Sequence, residues 1–306
     1  MKDVGLVGLP YSGKSTLFTA LTRTGSTGGR ANQAVVEVPD ARVETLAELE
    51  RSRKIVHAQV RFVDVPGGTS AQGLAALREV DALCLVLRAF GGDADPAGEL
   101  SEVEAELILA DLAVVESALE GARRRAKGGR SAVPELAALE HAHGELSEER
   151  PLTQAGLEID ELLHLRSVAP LTLKPWIPVA NLEEGAELPS GLPDDTVPVF
   201  ASIEAETAGM PQVEASYRAL ELITFLTTGE DETRAWEVRR GATAPEAAGV
   251  IHTDLQRGFI RAEIVSYDDL VAASTWDKAK AAGHLRVEGK EYVVREGDVL
   301  HVRFAV

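Results

Sequence analysis

The chain has 306 residues, enough for two or three domains. Apolar residues make up 45% of it, which is sufficient for buried cores and excludes wholesale disorder. The formal net charge of −18 argues against general adhesion to nucleic acid or to anionic membranes, because both require a cationic surface.

A phosphate-binding motif lies near the start of the chain. Residues Val4 to Leu9 predict a short buried strand, and a helix is predicted from Lys14 to about Thr22. Between them, GLPYSGKS at 8–15 matches GxxxxGK[ST], in which backbone N–H groups surround phosphate oxygens. Lys14 supplies a cation to the terminal phosphates and Ser15 a hydroxyl to Mg²⁺. The strand–loop–helix context favours a nucleotide site over a plain glycine-rich turn.

The residues predicted to contact Mg²⁺ and the γ-phosphate lie further along the chain. Val35 to Val38 and Val60 to Val65 predict strands, and the second leads into FVDVPG at 62–67. Asp64, at the end of a buried strand, can reach Mg²⁺ through water, and Gly67 can donate its N–H to a γ-phosphate. The apolar run Leu83 to Leu87 predicts a buried parallel strand.

The segment from about Glu99 to Arg166 predicts an antiparallel helical hairpin, rich in Ala, Leu, Glu and Arg. One face of its first helix is predicted to carry Leu107, Ala110, Val114, Ser117 and Gly121. Five bases cluster at the turn: Arg123, Arg124, Arg125, Lys127 and Arg130. They form either a solvated turn that complements a helix dipole or a basic tip that contacts phosphates.

The remainder of the chain predicts two further regions. Trp176 to Ala180 and Val197 to Ala201 predict strands, and Gln212 to Leu226 a helix. Asn181 and Glu184 follow the first strand, where they either contact a base or, in the case of Asn181, cap a helix. An α+β module of β-grasp type is expected after that, from strands at 236–239, 259–265, 292–294 and 299–304 and a helix opened by the capping box Thr243–Glu246.

The sequence resembles the Obg-like ATPases of the YchF subgroup of P-loop GTPases, which are related to translation factors. The resemblance is carried by VGLPYSGKSTLFTALT (7–22), FVDVPG (62–67), LTLKPWIPVANLEE (171–184) and RAWEVRRGATAPEAAGVIHTDLQRGFIRAEIVSYDDL (234–270). It implies an α/β fold with a Ras-like P-loop NTPase domain at 1–92 and 167–226. A helical coiled-coil arm is inserted at 93–166, and a C-terminal α+β, TGS-like β-grasp domain occupies 227–306.

The resemblance also implies a set of site residues, a cofactor and a partner. Phosphates would be bound by Gly8, Ser12, Gly13, Lys14, Ser15, Thr16 and Gly67. The metal would be held by Ser15 and Asp64, and the base by Asn181, Glu184 and Ser202. The expected ligands are Mg²⁺ with ATP or GTP, and the expected partner is the ribosome, contacted through the five clustered bases and the TGS-like domain.

Three loops associated with hydrolysis in the family are short in this sequence. The first switch is reduced to Gly25 to Val35, and the second is reduced to residues 68–73. The third loop, at 91–96, contains no histidine. Gly68 occupies the place of a water-positioning glutamine. The sequence therefore leaves three possibilities open. The first is a slow Mg²⁺-dependent NTPase associated with ribosomes, and the second is a catalytically degenerate nucleotide-binding adaptor whose arm and TGS-like domain bind RNA or protein. The third is that nucleotide binding is lost as well. No catalytic residue is assigned.

Cys84 is the single cysteine, which excludes an intramolecular disulfide and a cysteine-based zinc site. No signal peptide or long apolar run is recognisable in the sequence. We expect a cytoplasmic monomer that binds neither membrane nor DNA.

Overall fold

The computed structural model describes residues 1–21, 32–65, 68–128, 133–200 and 211–305. The predictions on Gly67, Arg130 and Ser202, and most of the predicted first switch, lie outside these ranges. The chain forms two compact units. The nucleotide unit comprises Lys2–Val35 and Arg61–Ala219, and the C-terminal unit comprises Met1, Val36–Val60 and Leu220–Val306.

Strands and helices alternate along much of the chain. The strands are β1 (Lys2–Val7), β2 (Asn32–Glu37), β3 (Ile55–Val56), β4 (Gln59–Asp64), β5 (Ala82–Ala89), β6 (Trp176–Leu182), β7 (Val197–Val199), β8 (Leu222–Thr227), β9 (Thr233–Arg239), β10 (Phe259–Ser266), β11 (Arg286–Glu288) and β12 (Asp298–Phe304). The α-helices are α1 (Lys14–Leu21), α2 (Ala41–Glu50), α3 (Ala71–Ala76), α4 (Pro96–Gly128), α5 (Val133–Ser147), α6 (Ile159–Leu165), α7 (Pro211–Ala219), α8 (Ala244–Ile251), α9 (Thr253–Arg257), α10 (Tyr267–Ala273) and α11 (Trp276–Ala281). None of these helices combines the length and apolar character that a membrane crossing requires.

The sheet of the nucleotide unit has the strand order β2-β4-β1-β5-β6-β7. Strands β1, β5, β6 and β7 pair in parallel. Residues 82–87 of β5 are all buried, as the apolar run predicts for a parallel strand covered on both faces. Parallel strands end at the same edge of the sheet, so the loops after β1, β5 and β6 lie side by side.

Helices α4 and α5 form the predicted hairpin, but the predicted packing face of α4 was only partly right: Leu107 is buried and Ala110 and Val114 pack against the core, whereas the face is not continuous. Along α4 most of the buried positions advance in steps of four: Val103, Leu107, Asp111, Val115, Leu119 and Ala122, with Ile108 buried beside Leu107. Ser117, which was assigned to the face, is exposed. The misassignment arose because Asp111 is part of the buried stripe, and a carboxylate is not expected there unless partners compensate it.

The sheet of the C-terminal unit has the order β11-β10-β12-β8-β9-β3. Its core includes Phe225, Ala247, Ile264 and Leu300. The predicted capping box is confirmed: both the backbone N–H and the Oγ1 of Thr243 donate to Glu246 Oε2 at 2.7 Å. These two bonds fix the start of α8, which packs against the sheet.

Two predictions in this region were wrong. The predicted helix from Gln212 to Leu226 ends at Ala219, and β8 follows it. Glu221 has a left-handed backbone (φ 51°) that interrupts the helix, and the β-branched, aromatic and leucine side chains after it fill the centre of the sheet. The predicted strand Tyr292 to Val294 is absent: Val293 forms only an isolated bridge with Thr243. A short strand that was not predicted, β11, lies just before it in the chain.

Candidate nucleotide site

The loop at 8–13 connects β1 to α1, and two of its glycines are required by close contacts. A Cβ on Gly8 would lie 2.3 Å from the backbone oxygen of Val86, and one on Gly13 would lie 2.1 Å from Asn181 Nδ2. Gly13 also has φ +91°, which disfavours other residues. The glycines therefore let the loop pass directly against β5 and β6, as a phosphate-binding loop requires.

Lys14 is the first residue of α1, and its side chain folds back onto this loop. Its Nζ donates to the backbone oxygens of Gly8, at 2.7 Å, and Leu9, at 3.1 Å. Burial lowers the pKa of Lys14, and the carboxylates of Asp64 and Glu99 oppose that shift. A partly desolvated ammonium held by neutral carbonyl groups is a favourable partner for the anionic oxygens of a phosphate.

Asp64 is the last residue of β4, as predicted, and it is half-buried. Burial raises the pKa of its carboxyl, and Lys14 acts in the opposite direction. Ser15 and Thr16 are exposed in the first turn of α1. A carboxylate and a hydroxyl beside a phosphate loop match the oxygen ligands that Mg²⁺ prefers, so the donor set fits this ion.

Asn181 lies at the end of β6 and is buried. Its Nδ2 donates to the backbone oxygen of Ser12 at 3.2 Å, which ties β6 to the phosphate loop. The alternative interpretation as a helix cap is wrong, because no helix begins between 183 and 200. The Ser12 side chain is fully buried, so a contact of Ser12 with phosphate would come from its main chain. Glu184 is exposed in the turn after β6.

Two further residues of the site, both glutamates, were missed from sequence. Glu99 accepts from the backbone N–H of Arg88 at 2.9 Å and influences Lys14, and Glu183 accepts from the N–H of Gly91 at 3.1 Å. The two contacts join residues 11 and 92 positions apart and lie between different elements, so neither helix nor strand periodicity could indicate them. A Cβ on Gly68 would lie 3.6 Å from Lys14 Nζ. Gly68 thus borders the phosphate loop without offering a side chain that could orient water.

The basic cluster on the arm is partly neutralised. Arg123 and Arg125 pair with Glu140 and Glu135 of α5, at 3.4 Å and 2.7 Å. Arg124 and Lys127 are exposed and form no ion pair with the part of the chain that the structure describes.

Other chemistry is not evident among the described residues. They contain no group of three His, Cys, Asp or Glu side chains arranged to hold a metal ion. Cys84 is fully buried in β5, and burial raises the pKa of its thiol to about 12, which makes it a poor nucleophile.

Two family models match the chain. The model described as "50S ribosome-binding GTPase" matches residues 3–117. The model named YchF-GTPase_C, described as a protein of unknown function, matches residues 222–305.

Similar proteins align over nearly their whole length. The ribosome-binding ATPases YchF of Haemophilus ducreyi and Bacillus subtilis are 37% and 36% identical, with 99% of each chain covered in both comparisons. The structure of the Schizosaccharomyces pombe YchF GTPase matches with a TM-score of 0.85 at 29% identity, covering 99% of this chain and 97% of that one. The H. ducreyi alignment extends over 358 positions against the 306 residues of this chain, so that relative has segments that this chain lacks.

Proposed function

The chain belongs to the family of YchF and Obg-like ATPases, and from this premise we propose that it binds ATP or GTP with Mg²⁺ and hydrolyses it slowly in association with ribosomes. The observation that carries the proposal is the environment of Lys14. Its ammonium lies within the loop formed by Gly8 and Leu9, near the carboxylate of Asp64, while Asn181 holds the same loop from β6.

Each group has a proposed task. Phosphates are bound by Gly8, Ser12, Gly13, Lys14, Ser15, Thr16 and Gly67. The metal is held by Ser15 and Asp64, and the base is contacted by Asn181, Glu184 and Ser202. When bound, Mg²⁺ supplies charge neutralisation on the phosphate oxygens. Lys14 binds the terminal phosphates, and Asn181 both positions the loop and presents its amide to the base.

We expect slow hydrolysis because of the residue that lies next to Lys14, Gly68. Phosphoryl transfer depends on a positioned water molecule and on charge stabilisation around the γ-phosphate. Gly68 lies next to Lys14 but provides no water-orienting side chain. We expect nucleotide binding to be retained while turnover is low.

The second candidate is a nucleotide-binding adaptor without hydrolysis. The specific observation in its favour is that the relatives have segments absent from this chain. In this case the arm at 93–166 and the TGS-like domain at 227–306 are the contacts with RNA or protein, and the NTPase domain at 1–92 and 167–226 only senses nucleotide.

One experiment separates these candidates. Binding of fluorescent ATP and GTP analogues and release of phosphate are measured with and without ribosomes, with Lys14→Ala as the control. Release above the Lys14→Ala level that ribosomes stimulate supports the NTPase. Tight nucleotide binding with release equal to the control supports the adaptor, and absence of binding overturns both.

The proposed ribosome contact has its own test. Since Arg123 and Arg125 are already paired with glutamates, we expect Arg124 and Lys127, which pair with none of the described residues, to contribute more to binding ribosomal RNA phosphates. The double variant Arg124→Gln/Lys127→Gln should weaken ribosome cosedimentation and lower its salt dependence. The matched variant Arg123→Gln/Arg125→Gln should have a smaller effect. Equal behaviour of the two variants and the unmodified protein would leave only the helix-dipole role for the cluster.

A further inference from the structure

Two adjoining cavities in the nucleotide unit share the residues Trp176 and Asp195. One has a volume of about 510 Å³ and the other about 250 Å³. We call the pair the Trp176 groove. Trp176 and Val197 are the first residues of β6 and β7, whereas Asn181 lies near the other end of β6. The groove therefore begins at the edge of the sheet opposite to the phosphate loop.

Part of the groove wall is apolar and rigid. It includes Pro151, Pro178, Pro193 and Pro198, whose rings fix the backbone. The indole of Trp176 is held by a hydrogen bond from its Nε1 to the backbone oxygen of Leu171, at 3.1 Å. A preformed cleft loses little conformational entropy on binding, and the face of an indole attracts a cation.

The charged groups of the groove are mostly acidic. Glu104, Asp194 and Asp195 line it, and Arg218 is the single base among the lining residues. None of the three carboxylates has a hydrogen bond or ion pair to the residues described by the structure. Burial raises the pKa of Glu104, since no cation compensates its loss of hydration. A cation that enters beside Glu104 would therefore gain a partly desolvated ionic partner.

We propose that the Trp176 groove binds an extended, basic segment of a protein partner. A lysine or arginine side chain enters the smaller cavity between Glu104 and Trp176, and the rest of the segment passes Asp194 and Asp195. Charge complementarity favours this occupant, since three carboxylates would repel the phosphates of RNA. The inference goes beyond nucleotide binding and does not depend on it, because the phosphate loop lies elsewhere on the sheet.

The test uses the full chain and a short fluorescent peptide in which arginine alternates with glycine. Binding is measured by fluorescence anisotropy at increasing salt. Glu104→Gln preserves the shape of the side chain and should weaken peptide binding about tenfold, as should Asp194→Asn/Asp195→Asn, because each removes a charge partner of the peptide. Nucleotide affinity should not change in any variant.

The matched control is Glu120→Gln, which removes an exposed charge from the same helix, α4, outside the groove. It should leave peptide binding unchanged. The proposal is overturned if Glu120→Gln weakens binding as much as Glu104→Gln, since the peptide would then respond only to the net charge of the chain. It is also overturned if a glutamine–glycine peptide binds equally well, or if spermidine binds as tightly as the peptide and identifies a small-amine site.

Discussion

Tyr11 has a backbone conformation that suits glycine or asparagine better than tyrosine. Its φ is 69°, and its side chain is 90% exposed. With Gly13 at φ +91°, it gives the phosphate loop two left-handed residues, a geometry that can turn successive N–H groups toward an anion. The strain at Tyr11 is thus located where a phosphate-binding conformation must be maintained.

This strain leads to a prediction for stability. Tyr11→Asn should raise the free energy of unfolding by about 0.5–1 kcal/mol, because asparagine tolerates the left-handed region and the exposed ring contributes little packing. Denaturant titration measures the change. Tyr11→Ala is the control: it removes the ring but retains the Cβ that causes the strain, so no gain is expected. An equal gain in both variants would assign the effect to the ring instead.

Asp64 illustrates a conflict between stability and metal binding. Burial raises the pKa of its carboxyl from 3.8, so the ionised form is less favourable in the folded chain than in the unfolded one. The folded state then binds more protons, and the free energy of unfolding decreases as pH rises from 3.8 through the raised pKa.

Asp64→Asn should remove this pH dependence and stabilise the nucleotide-free protein at neutral pH by up to about 1 kcal/mol. The same variant should weaken Mg²⁺-dependent nucleotide binding by at least about tenfold. Thermal unfolding at several pH values and nucleotide titration with and without Mg²⁺ measure both effects. A variant that loses stability at neutral pH while keeping full Mg²⁺ dependence would contradict the assigned role.

At the scale of elements, Asp111 anchors helix α4 within the nucleotide unit. It is fully buried on α4, a helix of 33 residues that extends for about 50 Å. Its carboxylate accepts hydrogen bonds from Arg78, Leu171 and Thr172, the last through both backbone N–H and Oγ1, at 2.6 to 2.9 Å. One side chain therefore connects α4 to the segments that precede β5 and β6.

Removal of this carboxylate should be strongly destabilising. Asp111→Ala removes the only carboxylate partner of the partly buried Arg78 guanidinium among the described residues, so that this cation keeps only the backbone oxygens of Ala110 and Ala169. It also leaves the N–H groups of Leu171 and Thr172 without this acceptor, so we expect a loss of about 3–5 kcal/mol in the free energy of unfolding. Glu120→Ala on the exposed face of the same helix should change it by less than about 0.5 kcal/mol. If both substitutions cost the same, Asp111 is not the anchor.

At the scale of the whole molecule, features that depend on residues close in sequence were predictable. Features that depend on contacts between residues distant in sequence were not. The phosphate loop, the position of Asp64 and the capping box at Thr243 each depend on neighbouring residues, and all three were predicted. The buried stripe of α4 was predicted only in part, because the partners of Asp111 are distant in sequence. The apolar run at 222–226 is compatible with a helix or a strand, and only its place between β9 and β12 decides for the strand.

Strand β8 determines where a stable C-terminal fragment can begin. A fragment that begins at the predicted boundary, residue 227, lacks almost all of this strand. In the sheet, β8 pairs with β9 along six residue pairs and with β12 on its other side. Ile223 and Phe225 are 1% and 0% exposed. A fragment of residues 227–306 therefore lacks both a central strand and part of the core. That fragment would also expose two unpaired strand edges, which promote aggregation.

We therefore expect residues 227–306 to show no cooperative thermal unfolding by circular dichroism, whereas residues 220–306 should unfold cooperatively. The longer fragment retains β8 and lacks α2 and the two-residue edge strand β3, whose absence should lower its midpoint without abolishing the transition. A double substitution Ile223→Ala/Phe225→Ala in the longer fragment separates side-chain packing from strand pairing, since it removes the core contacts and keeps the backbone of β8. Cooperative unfolding of 227–306 at the midpoint of the longer fragment would mean that the module begins after β8 and that this strand stabilises only the rest of the molecule.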